Sequence, residues 1–294
     1  MIVSSVKLYY GGNNMIKFGC AIPGGSFMPE GVAEIPDSPD IQICEKCRAV
    51  LRAGFDFTEC GGGMLMSLDD PQRERLFSEN EKSSLKIHAV NSLFPGDFRL
   101  ADPTGDLQAY VSYASRLFDI MKQLGAKYAV FGSGAARTIR TDSYSYEEGM
   151  KRLTRFITEI GTEAEQRGVT VVIEPLRKAE TNIFVTVPEA GEYVRRLDHA
   201  GVKLLYDSFH MAEEGTNVSC VGEYTELLRH CHIAEAPKRS RPGASDSADL
   251  SYNRNFAKEL IRSGYSGGVS VECGFSDFAA DIVSAHRYLL DIFQ

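Results

Sequence analysis

Gln166-Arg167-Gly168-Val169-Thr170-Val171-Val172-Ile173-Glu174-Pro175 carries in one short stretch a helix end, a turn, a strand and a carboxylate. Glycine takes the left-handed turn that ends a helix at no steric cost. The β-branched run after it has no polar face, which suits a parallel strand covered on both sides. The same punctuation recurs along the chain. Arg52-Ala53-Gly54 precedes Phe55-Asp56-Phe57, and Gln123-Leu124-Gly125 precedes Lys127–Phe131. His199-Ala200-Gly201 precedes Val202–Tyr206, and Ser263-Gly264 precedes Gly268–Val271. Apolar residues at three- and four-residue spacing predict helices over Leu107–Leu124 and Tyr146–Arg167. With Ile16–Ala21, Leu85–Val90 and Leu228–Ile233 added, eight strand candidates alternate with helices. Eight such units in 294 residues predict an α/β fold, a closed (β/α)8 TIM barrel. An open doubly wound sheet lacks support, because Cys20-Ala21-Ile22-Pro23-Gly24-Gly25 does not have the Gly-x-Gly-x-x-Gly spacing of a dinucleotide turn.

Composition narrows the class further. At 43% hydrophobic and 24% charged residues, the chain has material for a packed core. No run approaches the roughly 18 apolar residues of a membrane helix. A net charge of −8 with no long basic run argues against a sequence-independent polyanion binder. Met1–Asn14 has no signal-peptide pattern, and Met15-Ile16-Lys17 is a second start-like stretch. Residues 1–14 are therefore expected to be an N-terminal extension and 15–294 a single barrel domain. Seven scattered cysteines read as reduced thiols of a cytoplasmic protein. Cys44 and Cys47 fall on a predicted amphipathic helix, Ile41–Arg52, with no second pair to complete a zinc site.

The ends of the last four strands carry the chemistry. Each apolar run stops on an acid or a histidine: Ile173-Glu174-Pro175, Tyr206-Asp207-Ser208, Cys231-His232-Ile233 and Val271-Glu272-Cys273. C-terminal strand ends of a barrel converge on one mouth. Three carboxylates meeting there with an imidazole repel one another unless a cation lies between them. Such oxygen-rich ligation suits Mn²⁺, Mg²⁺ or Co²⁺, with Zn²⁺ also open.

Glu174-Pro175-Leu176, Asp207-Ser208-Phe209-His210-Met211, His232-Ile233-Ala234-Glu235 and Val271-Glu272 resemble the xylose-isomerase-like barrel superfamily. The similarity is closest to its sugar isomerase/epimerase branch, typified by the D-tagatose and D-psicose 3-epimerases. The resemblance runs from about Met15 onward and implies that Glu174, Asp207, His232 and Glu272 bind one divalent metal, Mn²⁺ first. It implies that Glu174 and Glu272 double as the acid/base pair, and that His210 and Glu180 contact the substrate. The chemistry implied is removal of a proton next to a carbonyl through an enediolate that the metal stabilises. Return of the proton to the opposite face gives an epimer, and return to the neighbouring carbon gives an isomer.

Where that branch continues with an asparagine and a substrate-gripping arginine, this chain has Ala236-Pro237-Lys238-Arg239, with Lys238 at the arginine's offset. Lys238, Arg239, Arg241, Arg137 and Arg140 form a candidate set of rim cations for a phosphate or carboxylate on the substrate. For Arg239 and Arg241 a solvated loop position is the preferred reading, and Lys238 is left open. Glu59 and His88 are candidate mouth-facing substrate contacts, with a satisfied barrel residue an equal reading of either, and His230 is expected in the barrel core. Phe27, Phe94 and Phe275 are candidates to roof the pocket.

Two other activities share these parts. An inosose-dehydratase-like lyase differs in expelling a hydroxyl after the same proton abstraction. An apurinic-site nuclease resembling endonuclease IV needs further histidines for its zinc cluster. Neither Phe131–Arg137 nor Ser245–Asp249 supplies them. A silent sugar-binding relative is disfavoured because the ligand set is complete. The expected partner is a small sugar or sugar derivative, with no nucleic acid and no membrane, and the resemblance implies a homodimer or homotetramer.

Overall fold

The computed structural model describes residues 16–24, 37–244 and 250–294, with Leu250 described by its backbone alone. The expected extension, Phe27 and Ser245–Asp249 lie outside the described residues. The strands are β1 (Lys17–Ala21), β2 (Phe57–Gly61), β3 (Ile87–Asn91), β4 (Tyr128–Phe131), β5 (Thr170–Ile173), β6 (Val202–Asp207), β7 (Leu228–Ile233) and β8 (Gly268–Val271). They close into a barrel in sequence order, parallel throughout, with β8 paired to β1. Helices connect them, and the observed α/β TIM barrel is the predicted one. Among the described residues no helix is long and apolar enough to cross a membrane.

The helices form where capping and periodicity agree. Leu107–Leu124 is capped by the Asp106 side chain, which accepts the Ala109 N–H, and ends on left-handed Gly125. Tyr146–Glu165 opens with a reciprocal capping box between Ser145 and Glu148. Their inner faces bury Leu117, Phe118, Met121, Phe156 and Ile160 against the outside of the barrel. Each such side chain is worth about 1.5–3 kcal/mol of transfer free energy.

Two sequence expectations need adjustment. Gly54, Gly125, Gly168 and Gly264 do take positive φ, but Gly201 does not; Asp198, at φ 47°, turns that helix instead. Gly201 is needed for close approach, since a Cβ there would sit 2.3 Å from the Gly161 carbonyl oxygen. The second strand is longer than the apolar run Phe55–Phe57 suggests. It pairs from Phe57 to Gly61 and takes the polar Glu59 into its middle.

Inside the barrel, Gly19 and Gly268 leave space for the Phe57 ring; a Cβ at Gly19 would lie 1.9 Å from a ring carbon. Phe57, His88, Tyr128 and His230 pack as a ring cluster toward the N-terminal end of the barrel. Val130, Val172 and Leu205 form the next layer. His88, half-buried, therefore lies toward the N-terminal end of the barrel, away from the C-terminal mouth and outside the lining of the cavity there. Burial first, and then the nearby His230, push its pKa down to about 4, so its ring is neutral packing material.

Candidate active site and metal centre

Above the valine layer the strand ends deliver their polar groups to one point. Glu174 follows β5, Asp207 ends β6, His232 is next to last in β7 and Glu272 follows β8. One donor atom from each of the four lies within 4.8 Å of the others. His232 Nδ1 is 3.1 Å from Glu174 Oε1 and 3.0 Å from Glu272 Oε2. Asp207 Oδ1 caps the helix Ser208–Glu213 by accepting the Phe209 N–H at 2.8 Å, which leaves Oδ2 facing the cluster. The structure thus brings together all four residues expected to hold a metal.

Its electrostatics fit a cation. Burial would raise the Glu272 pKa, yet charge on His232 and Arg239 holds it down at about 2. Burial would lower that of His232, and the surrounding carboxylates, Glu272 foremost, carry it well above the ordinary range. At Asp207 burial prevails over Arg239 and His232, and the pKa rises. A cation of the protein itself also meets the carboxylates: Arg239 pairs with Asp207 Oδ2 at 3.2 Å and with Glu272 Oε2. Three carboxylates and one imidazole nitrogen are the donor set of a hard or borderline divalent ion.

Local backbone chemistry holds the frame. Arg137, expected at the rim, is instead fully buried, donating to the carbonyls of Phe131 and Glu174 at 2.8 Å each. It clamps the ends of β4 and β5 and stacks near Phe131 and Phe184. Burial lowers its pKa to about 10, opposed by the charges of Glu174, Glu189 and Glu180. Arg137→Met is expected to destabilise the fold by about 2 kcal/mol or more, because the Glu174 carbonyl loses the Arg137 donor and the Phe131 carbonyl keeps only the Glu174 N–H at 3.3 Å. Urea unfolding in a chelator measures this; an unchanged midpoint would refute the clamp.

A cavity of about 240 Å³ opens over the cluster, lined by Glu174, Glu272, Glu180, His210, Arg239 and Phe94 among others. His210 is buried in the helix after β6; its Nδ1 accepts the Arg177 backbone N–H at 3.4 Å, and its Nε2 has no hydrogen-bond partner. Glu180 is held by Arg177 at 2.9 Å, and Arg177 also reaches Glu213. Phe94 lines the pocket, whereas Phe275 packs on Phe278.

Four further expectations are displaced. Lys238 is exposed and does not line the cavity; Arg239, one residue on with φ 50°, turns inward over the Phe209 ring. Arg241 pairs with Asp281 at 2.9 Å, and Arg140 is outside the lining. Glu59, expected to meet substrate, is wholly buried beneath His232 with an oxygen 3.0 Å from each of His232 Nε2 and His230 Nε2. The sequence reading missed Asn91 at the end of β3, whose Nδ2 donates to Glu272 Oε1 at 2.9 Å. The strand-end rule that found the acids, extended to amides, would have found it.

The family model described as the xylose isomerase-like TIM barrel matches residues 47–290. A D-psicose 3-epimerase of Ruminiclostridium cellulolyticum is 25% identical over 244 residues, covering 76% of this chain and 80% of the relative. A putative hydroxypyruvate isomerase of Danio rerio is 23% identical over 249 residues, covering 80% and 84%. The structure of D-psicose 3-epimerase with D-tagatose from Clostridium cellulolyticum H10 superposes with a TM-score of 0.74 at 20% identity, covering 95% of this chain and 100% of that one. The likeness to sugar epimerases and isomerases supports an enzyme. The closed parallel barrel and the family match over most of its length lead to one placement: the chain belongs to the xylose isomerase-like TIM barrel family.

Proposed function

We propose that the protein is a divalent-metal-dependent isomerase or epimerase of a sugar or sugar derivative. The observation that carries this reading is that two carboxylates, Glu174 and Glu272, flank one cavity and share the same four-ligand cluster. Glu174, Asp207, His232 and Glu272 would hold the metal, Mn²⁺ being our first choice, and it would supply a Lewis acid for negative charge developing on substrate oxygens.

The remaining work falls to the side chains. One of Glu174 and Glu272 removes the proton from the carbon beside the carbonyl, and the other returns it. Asn91 holds Glu272 Oε1 and limits the directions that carboxylate can face. His210 accepts at Nδ1, so its proton lies on Nε2, which is 3.5 Å from Asp207 Oδ2 and placed to donate to a substrate hydroxyl. Glu180, fixed by Arg177, offers an acceptor to another hydroxyl. Arg239 is the one cation of the candidate rim set that lines the cavity. It takes over from Lys238 as the group to meet an anionic or strongly polar end of the substrate. Leu176 and Phe94 cover the apolar side and keep water from the reacting carbon.

The test is exchange of a carbon-bound proton in D₂O, followed by proton NMR. Metal-stripped protein is reloaded with Mn²⁺, cleared of excess ion and incubated with free ketoses, ketose phosphates, inososes and 2-keto-3-hydroxy acids. Loss of one signal, abolished by chelator, is expected for at least one class. An epimer or aldose–ketose isomer as product supports the reading, and a dehydrated product assigns a lyase instead. No exchange across the panel, with metal bound, overturns the proposal for these substrates.

A further inference from the structure

We infer that Glu59 is a positioning residue that fixes the tautomer of His232 and so turns the lone pair of its Nδ1 toward the cation site. The inference rests on the metal reading above and adds to it a residue beneath the ligands. Glu59 lies in the middle of β2 and is completely buried. Its Oε1 is 3.0 Å from His232 Nε2, and its Oε2 is 3.0 Å from His230 Nε2. A carboxylate only accepts, so each of those ring nitrogens carries a proton.

His230 shows how the proton is placed. Its Nδ1 is buried with no hydrogen-bond partner. A proton there would be an N–H stranded without an acceptor, so the ring is neutral and its single proton points at Glu59. The same logic reaches His232 from the other oxygen. With Nε2–H committed to Glu59, Nδ1 is the nitrogen whose proton, shared here with Glu174 Oε1 at 3.1 Å and Glu272 Oε2 at 3.0 Å, a cation would replace, which turns the Nδ1 lone pair onto the site. The opposite tautomer would set a lone pair of Nε2 against a carboxylate oxygen at 3.0 Å and put a proton where a metal must bind. A carboxylate behind a ligating histidine also raises the basicity of the ring, and loss of such a partner costs about 10–100-fold in metal affinity.

Mn²⁺ binding to metal-stripped protein, followed by the loss of free-ion electron paramagnetic resonance signal, tests this directly. Glu59→Leu is expected to bind about 10–100-fold more weakly than the parent. Glu59→Gln, whose amide oxygen still accepts the His232 proton, is expected to fall between the two. Thermal unfolding in chelator is measured alongside, because a residue that only fills the barrel would change stability and leave the affinity of the folded protein alone. If the leucine variant fails to fold, the isosteric glutamine variant carries the test. Parent-like Mn²⁺ affinity in folded Glu59→Gln or Glu59→Leu overturns the inference while leaving the metal centre standing. Failure of the parent to bind Mn²⁺, Mg²⁺, Co²⁺ or Zn²⁺ overturns both.

Discussion

Glu272→Gln is expected to lose about 10³-fold or more of the metal-dependent proton exchange while folding normally. The substitution keeps the shape and removes the ability to take up or deliver a proton. General acid–base catalysis by a positioned group is itself worth about 10²–10⁴-fold. Glu272 is poised for that work: Asn91 restrains Oε1 at 2.9 Å, and Oε2 faces the cluster beside His232 at 3.0 Å. Its side chain retains 19% of its surface, against 6% for Glu174 and none for Asp207 or His232, so it is the ligand most open to the cavity. The amide also gives up one anionic ligand, so exchange is measured at saturating Mn²⁺ with binding recorded separately. Circular dichroism and unfolding in chelator check the fold. A correctly folded, metal-loaded Glu272→Gln with full exchange would remove this residue from the acid/base pair.

Much of this site was legible because burial makes polarity conspicuous. Glu174, Asp207 and Glu272 stand out since each ends a mostly apolar strand whose two faces are covered, and a barrel offers such a residue only the mouth. His232 followed from the same strand-end position. The candidate metal ligands are thus a property of where the apolar runs stop.

Side chains whose roles depend on contacts across the barrel were not legible in that way. Glu59 was left between the mouth and the barrel interior because an acid in mid-strand looks like a strand end until its partners are known. The two histidines that satisfy it are 171 and 173 residues away in sequence. A long cation after a strand reads as solvated, yet Arg137 is drawn inward by two strand-end carbonyls that no side-chain pattern records. Lys238 and Arg239 differ by one position, and counting along a loop gives no direction for either. The left-handed backbone at Arg239 decides which of them turns into the site.

The second large effect is expected at a residue with no side chain. Gly132 follows β4, and a Cβ built on it would lie 2.3 Å from Glu174 Oε2, with Glu174 Cδ at 3.5 Å and a Leu176 methyl at 3.6 Å. Only one atom is in serious conflict, and it is the end of a flexible side chain. The fold can relieve Gly132→Ala by swinging the carboxylate aside, and the backbone there is outside the left-handed region that strains an alanine. Removing a glycine also restricts the unfolded chain, which contributes about 0.4–1 kcal/mol toward stability. The unfolding midpoint in chelator should therefore move little. Function has no such freedom, because the displaced oxygen belongs to a proposed metal ligand and proton carrier. A misplacement of about 1 Å costs on the order of 10²-fold in rate. Gly132→Ala is expected to bind Mn²⁺ more weakly and to lose about 10²-fold of its exchange activity at nearly unchanged stability. Gly134→Ala makes the contrast, since its Cβ would meet the Glu180 backbone carbonyl at 2.6 Å, which cannot rotate away, and should lower stability first. Parent-like Mn²⁺ affinity and exchange in Gly132→Ala would mean that Glu174 works equally well from another position, and would take it out of the tightly held ligand set.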